Sequence, residues 1–172
     1  AAKAVGVSLY RFINGFRNRI PVYKRGTGLS PDQVIEEAQR AQYEGFKGYK
    51  IKTQRSIEIM VSLIPHLRDA MGPDFYLILD GGGQLTIADA IKIGRALDEA
   101  DYYWFDRPRP ANDTTGGKQV ADELDTPITA EVTTPLEASQ VMSTQSADHI
   151  KTGTPYSGGI TDILKIGRCT EA

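Results

Sequence analysis

Cysteine is almost absent from this 172-residue chain: Cys169 stands alone, so no disulfide can close within it. That usage fits a reducing compartment, and a cytoplasmic location is expected. Histidine is nearly as scarce, with only His66 and His149, and no Cys or His spacing of a zinc site exists. Long apolar runs are missing, which argues against a membrane span, and no charged start leads into an apolar signal core. An excess of charge is missing too. The 20 basic and 22 acidic residues give a net charge of −2, which offers no attractive surface to nucleic acid or an anionic membrane. The chain begins AAKAVGVSLY without a methionine, which reads as the start of a processed, excised or incomplete product. What remains is an ordinary globular composition, 40% hydrophobic and 24% charged, with no linker or low-complexity stretch. A single domain over residues 1–172 is expected, long enough to bury a core.

Helix and strand signals alternate along the chain, the pattern of an α/β fold with a parallel sheet. Residues 1–14 carry a loose helical pattern with Val5, Leu9 and Phe12 on its apolar side. A short strand is read at 20–24. Ser30-Pro31-Asp32 then has the form of a helix start, with Val34, Ile35, Ala38 and Ala41 facing the core and Gly45 ending the helix. Further strands are read at 48–53, 75–80, 102–106, 127–132 and 148–153. The helices between and after them are read at 56–71, 86–100, 116–124 (its start undefined), 135–143 and 159–169. Ile87, Ala90, Ile91 and Gly94 form one side of the helix at 86–100. Six βα units suit either part of a (β/α) barrel, which closes with eight strands, or a complete doubly wound sheet.

Five charged residues fall at the ends of successive strands: Lys52, Asp80, Asp106, Glu131 and Lys151, spaced 20–28 residues apart. A (β/α)₈ barrel uses about 31 residues per unit and places its chemistry at the C-terminal strand ends. Three carboxylates converging from neighbouring strands would suit a hard cation such as Mg²⁺. One such residue taken alone reads better as a helix cap or a solvated loop acid; three at this spacing read better as a site. Lys50 and Lys52 are two apart on one strand and share a face. Turned towards the carboxylates they would be paired and functional; on an edge strand they would only be solvated. Lys151 would lie across a barrel from Lys52 and could be the partner acid or base. His66 reads as a surface residue in mid-helix, and His149 as facing the layer opposite to Lys151. Gly81-Gly82-Gly83 lacks the remaining positions of a phosphate loop and reads as a tight turn after a strand. No Ser–His–Asp set stands out.

In their order, GFKGYKIKT (45–53), YLILDGGGQLT (76–86), YYWFDRP (102–108), PITAEVTTP (127–135) and ADHIKTGTPYSGGIT (147–161) resemble the enolase superfamily, within it the mandelate racemase/muconate lactonizing enzyme group. The resemblance implies a TIM-type barrel, here a partial one of about six units without the capping domain. It implies an isomerase or lyase that removes the proton α to a carboxylate, through an enediolate, in a racemisation, dehydration or cycloisomerisation. It matches Lys52 to the base, with Lys50 tuning it, and Asp80, Asp106 and Glu131 to the ligands of Mg²⁺, with Mn²⁺ as the alternative ion. The implied partner is a small carboxylate or acid sugar.

The departures are specific. Asp106-Arg107 stands where Glu-Glu is usual, so the ligand is one methylene shorter and a positive charge replaces an acid. Asp80-Gly81-Gly82 replaces Asp-x-Asn. The lysine position of the sixth strand falls on Gly153, which leaves Lys151 two residues earlier to serve the other face. Open edges at the first and last strands favour a homo-oligomer. A noncatalytic truncated barrel that self-associates is the competing reading. A third is a phosphate-handling barrel using the glycine turn.

Overall fold

The computed structural model describes residues 1–53 and 56–171. A 3-10 turn (Ala2–Val5) and a one-turn helix α1 (Leu9–Phe12) lead into β1 (Lys24–Arg25), α2 (Pro31–Tyr43), β2 (Gly48–Lys52), α3 (Ile57–Met71) and β3 (Tyr76–Asp80). There follow α4 (Ile87–Glu99), β4 (Trp104–Asp106), α5 (Thr114–Asp122), β5 (Ile128–Glu131), α6 (Pro135–Thr144), β6 (His149–Lys151) and α7 (Ile160–Thr170). The strands form one sheet in the order β1-β2-β3-β4-β5-β6, every neighbouring pair parallel. A doubly wound sheet reverses its strand order in the middle. The unbroken sequential order is that of a (β/α) barrel, here a partial one.

Local chemistry fixes where each helix begins, and so how the loops sit above the strand ends. Ser30 with Gln33, and Thr134 with Glu137, make capping boxes at α2 and α6, each followed by a proline in the first turn. Ser56, Thr86 and Asp113 cap α3, α4 and α5 by accepting from the backbone N–H of Ile59, Asp89 and Gly116. Asp113 caps the start that the sequence pattern left undefined, and α5 begins at Thr114, two residues ahead of the expected Gly116.

Alternation along the strands divides the sheet into two faces. Tyr49, Ile51, Leu77, Leu79, Phe105 and Ile128 face outwards and are buried in the main core with Ala38, Ile64, Leu67, Ile93 and Leu97 of the surrounding helices. A smaller cluster joins Ala130 and Val132 to Ala138, Val141 and Ile166. The inner face carries an aromatic floor, in which Tyr103 lies 4.3 Å from Tyr76 and 4.9 Å from Trp104 between ring centroids. Above this floor come the charged residues.

Three expectations need correction. The N-terminal segment is helical only at 2–5 and 9–12, and Val5, Leu9 and Phe12 are exposed rather than part of the core. The strand read at 20–24 contracts to Lys24–Arg25, since Pro21 has no N–H to give a ladder. His149 is not on the layer opposite to Lys151. The register pairs Thr129 with His149 and Glu131 with Lys151, so two positions of one strand share the inner face. His66 is exposed in α3, as expected, its Nδ1 2.7 Å from the Ser62 carbonyl oxygen.

Candidate active site

Lys52, Asp80 and Asp106 are aligned across three adjacent strands, and Glu131 pairs with Lys151 on the last two. Lys50, two residues below Lys52, is buried. Its ammonium lies 2.7 Å from Asp106 Oδ2, 3.6 Å from Asp80 Oδ2 and 5.3 Å from the centre of the Tyr23 ring. Lys151 Nζ lies 3.1 Å from the same Asp106 oxygen and 3.6 Å from Glu131 Oε1. The Arg107 guanidinium spans the remaining gap: Nη2 donates to Asp80 Oδ1 and Oδ2 at 2.9 and 3.0 Å, and Nη1 donates to Glu131 Oε2 at 2.5 Å. The Thr129 hydroxyl donates to Asp106 Oδ1 at 2.6 Å. Three carboxylates thus meet three fixed cations, and the local formal charge is zero.

Burial alone would raise the Asp106 carboxyl, but the Lys50 and Thr129 hydrogen bonds and the nearby lysine charges outweigh it and hold the group below the usual carboxylate range. Lys50 is likewise opposed by burial, yet the carboxylates keep it above its ordinary value. It is therefore a structural cation, held charged, and Asp106 and Asp80 neutralise the field with which it was expected to tune Lys52. Lys52 differs: it is half-buried and makes no ion pair among the described residues. The expected tight turn is present, with Gly82 and Gly83 at φ 71° and 73°. Its amides hold the site together: Gly81 N–H donates to the Asp106 carbonyl, Gly82 N–H to Asp80 Oδ1 and Gly83 N–H to the Arg107 carbonyl.

Pattern reading missed Thr129. A signal was available, because Thr129 is two residues before Glu131 in PITAEV and must share its face. It also missed what Arg107 binds.

A parallel sheet of sequentially ordered βα units, with lysines and carboxylates gathered at its C-terminal strand ends, defines a partial (β/α)-barrel domain. The sequence profile of the enolase C-terminal domain-like family matches residues 33–172, and the chain belongs to that family. It is 30% identical to the L-talarate/galactarate dehydratase of Salmonella typhimurium over 171 residues, 96% of this chain and 43% of the relative. It is also 30% identical to the L-Ala-D/L-Glu epimerase of Bacillus subtilis over 176 residues, 99% of this chain and 48% of the relative. The solved structure of a substrate-liganded complex of that epimerase superposes with a TM-score of 0.92 at 29% identity, covering 99% of this chain and 49% of that one. The L-talarate dehydratase from Polaromonas sp. JS666, complexed with Mg and L-glucarate, superposes with a TM-score of 0.88 at 27% identity over the same shares. The chain spans about half the length of the relatives it matches.

Magnesium is bound in the last of these relatives. In this chain no group of three or more Asp, Glu, His or Cys among the described residues is disposed to hold a metal ion. Asp80, Asp106 and Glu131 do converge, but all six of their carboxylate oxygens face a protein cation, a hydroxyl or an amide. Mg²⁺ demands oxygen ligands at about 2.0–2.1 Å in near-octahedral array. With every oxygen engaged, the donor set in this arrangement does not fit the ion. Among the described residues no helix is long and apolar enough to cross a membrane.

Proposed function

We propose that this chain carries the proton-abstracting part of a site that acts on small carboxylates, with Lys52 as the base. The observation that carries the reading is the division of labour in Lys50-Ile51-Lys52. Both lysines share the inner face, but Lys50 is buried and paired while Lys52 is half-buried and makes no ion pair among the described residues. Among the paired groups, the side chains of Lys50, Asp80 and Asp106 are covered, whereas Arg107, Lys151 and Glu131 remain 25%, 35% and 24% exposed. With Lys52 the mouth offers three cations against one acid, a surface that favours an anionic ligand such as a carboxylate. Lys52 in its neutral form takes the α-proton on its amine, and the C–H electron pair passes into the carboxylate to give an enediolate. Loss of a β-hydroxyl from that species would complete a dehydration. Return of the proton from the other face, by Lys151 or by a group outside this sequence, would complete an epimerisation. The relatives' names support acid sugars and dipeptides as the substrate classes.

The test is α-proton exchange in D₂O, followed by NMR, over a panel of acid sugars and dipeptides. Exchange that Lys52→Ala abolishes is expected, and a folded chain that exchanges none of them would overturn the reading.

A second reading, a noncatalytic unit that self-associates, is favoured by the apolar surface of the N-terminal segment. Val5, Leu9, Phe12, Phe16, Ile20 and Val22 are all exposed. Self-association would take this surface out of water. A monodisperse monomer by sedimentation would contradict self-association.

A further inference from the structure

We propose that Arg107 is the resident cation of this site: its guanidinium fills the place among Asp80, Asp106 and Glu131 that a divalent ion would take, so the folded chain excludes Mg²⁺. The proposal follows from the mismatch between the donor set and the ion. It does not rest on any catalytic activity.

The geometry is that of a built contact. One nitrogen of the guanidinium meets both oxygens of Asp80, another meets Glu131, and Nε lies 4.0 Å from Asp106 Oδ1. The group therefore hydrogen-bonds two of the carboxylates and lies beside the third, its buried Nε making no hydrogen bond among the described residues. A planar fork of fixed charge suits this bridging role, and it stays protonated across the physiological range. Burial opposes the charge, but Asp80, Glu131 and Asp106 hold the guanidinium even more firmly protonated than usual.

The backbone aims the side chain. Arg107 has φ 52°, a left-handed conformation uncommon for any residue but glycine. Its own N–H donates to the Thr129 carbonyl at 3.0 Å, and its carbonyl accepts from Gly83 N–H at 2.7 Å. Gly81 packs so closely that a Cβ there would come within 2.8 Å of the Arg107 carbonyl oxygen. Strain of this kind persists only where the surroundings enforce it. Here the glycine turn and β5 enforce it from two sides. Charge adds to the exclusion. Lys50, Arg107 and Lys151 already balance the three acids, so a divalent ion entering beside them would leave two uncompensated positive charges.

The experiment is calorimetric titration of MgCl₂ into the purified chain, its Arg107→Gln variant and the Arg107→Gln/Asp80→Asn double variant, each shown to be folded by circular dichroism. The wild-type chain is expected to give only heats of dilution at millimolar Mg²⁺. Arg107→Gln should gain saturable binding, at least tenfold tighter than any wild-type signal, and Asp80→Asn should remove it. Saturable binding by the wild type would overturn the proposal. So would a folded Arg107→Gln that binds no better than wild type, because Arg107 would then not be what keeps the ion out. The wild-type titration needs no variant, so a variant that fails to fold leaves the proposal open to refutation. The readout is ion binding rather than turnover, which separates its failure from a failure of Lys52 as the base.

Discussion

Replacing Lys50 with methionine keeps the length and apolar stem of the side chain and deletes one buried charge. The side chains of Lys50 and Asp106 are 6% and 1% exposed and 2.7 Å apart, so solvent cannot take over the lost interaction. Breaking one side of a buried pair costs about 3–5 kcal/mol, because the partner is left charged and desolvated. Asp106 would keep the Thr129 hydroxyl and Lys151, and Asp80 would keep Arg107. The loss should therefore fall at the low end, about 3 kcal/mol at pH 7. The pH dependence is equally specific. Wild-type Asp106 titrates below its unfolded value, so its contribution is present above about pH 4 and is lost as the pH falls through the folded value. In Lys50→Met burial is no longer opposed by the Lys50 hydrogen bond, so the carboxyl moves up and protonation relieves the variant. The penalty should shrink from pH 7 to pH 4. Urea unfolding at both pH values, with the m-value checked for constancy, measures it. Adding Asp106→Asn should recover about 1.5 kcal/mol as a coupling between neighbours. A penalty below about 1 kcal/mol, or the same penalty at both pH values, would refute the reasoning.

Two further substitutions probe the frame around the site. The Glu37 carboxylate accepts from Thr27 N–H, the Thr27 hydroxyl, Gly28 N–H and the Tyr49 hydroxyl; burial opposes its charge, but these bonds lower the group to about 2. That stabilisation is present above about pH 4.5 and lost towards pH 2, so Glu37→Gln should cost about 2 kcal/mol at pH 7 and little at pH 2, read by urea unfolding. Arg68 donates to the carbonyls of Gly72, Phe75, Ala100 and Asp101, tying together the loops at the end of the sheet remote from the lysines. Arg68→Met should cost about 2–3 kcal/mol in thermal or urea unfolding, and unaltered α-proton exchange in the folded fraction would separate frame from site.

The strands were legible where an apolar run ends in an acid, as in YLILD, YWFD and ITAE, because a buried parallel strand and its exposed C-terminal end leave that signature. The cap of α2 was legible at Ser30, where capping chemistry is local, and the starts of α3, α4 and α6 were legible to within a residue at 56, 86 and 135. In α4 the apolar face was read with its phase slightly off: Ala90 and Gly94 are buried as expected, but Ile93 and Leu97 carry the core while Ile87 and Ile91 only pack against it. The convergence of Asp80, Asp106, Glu131, Lys50 and Lys151 followed from strand alternation. Which cation meets which acid did not, because that depends on side-chain direction, and at Arg107 on a left-handed backbone that no periodicity encodes. The split between a buried, paired Lys50 and a half-buried Lys52 needed the side-chain contacts of the folded sheet. Segment 1–23 misled because Val5, Leu9 and Phe12, apolar residues of the kind that normally signal a core, are exposed here.

The most direct test of the account is α-deuterium incorporation into acid-sugar and dipeptide substrates in D₂O, run on the wild type and Lys52→Ala with and without EDTA. Exchange that disappears with Lys52 and persists in EDTA is the predicted result. Exchange indifferent to Lys52 would contradict its role as base, and exchange that EDTA abolishes would contradict Arg107 as the resident cation.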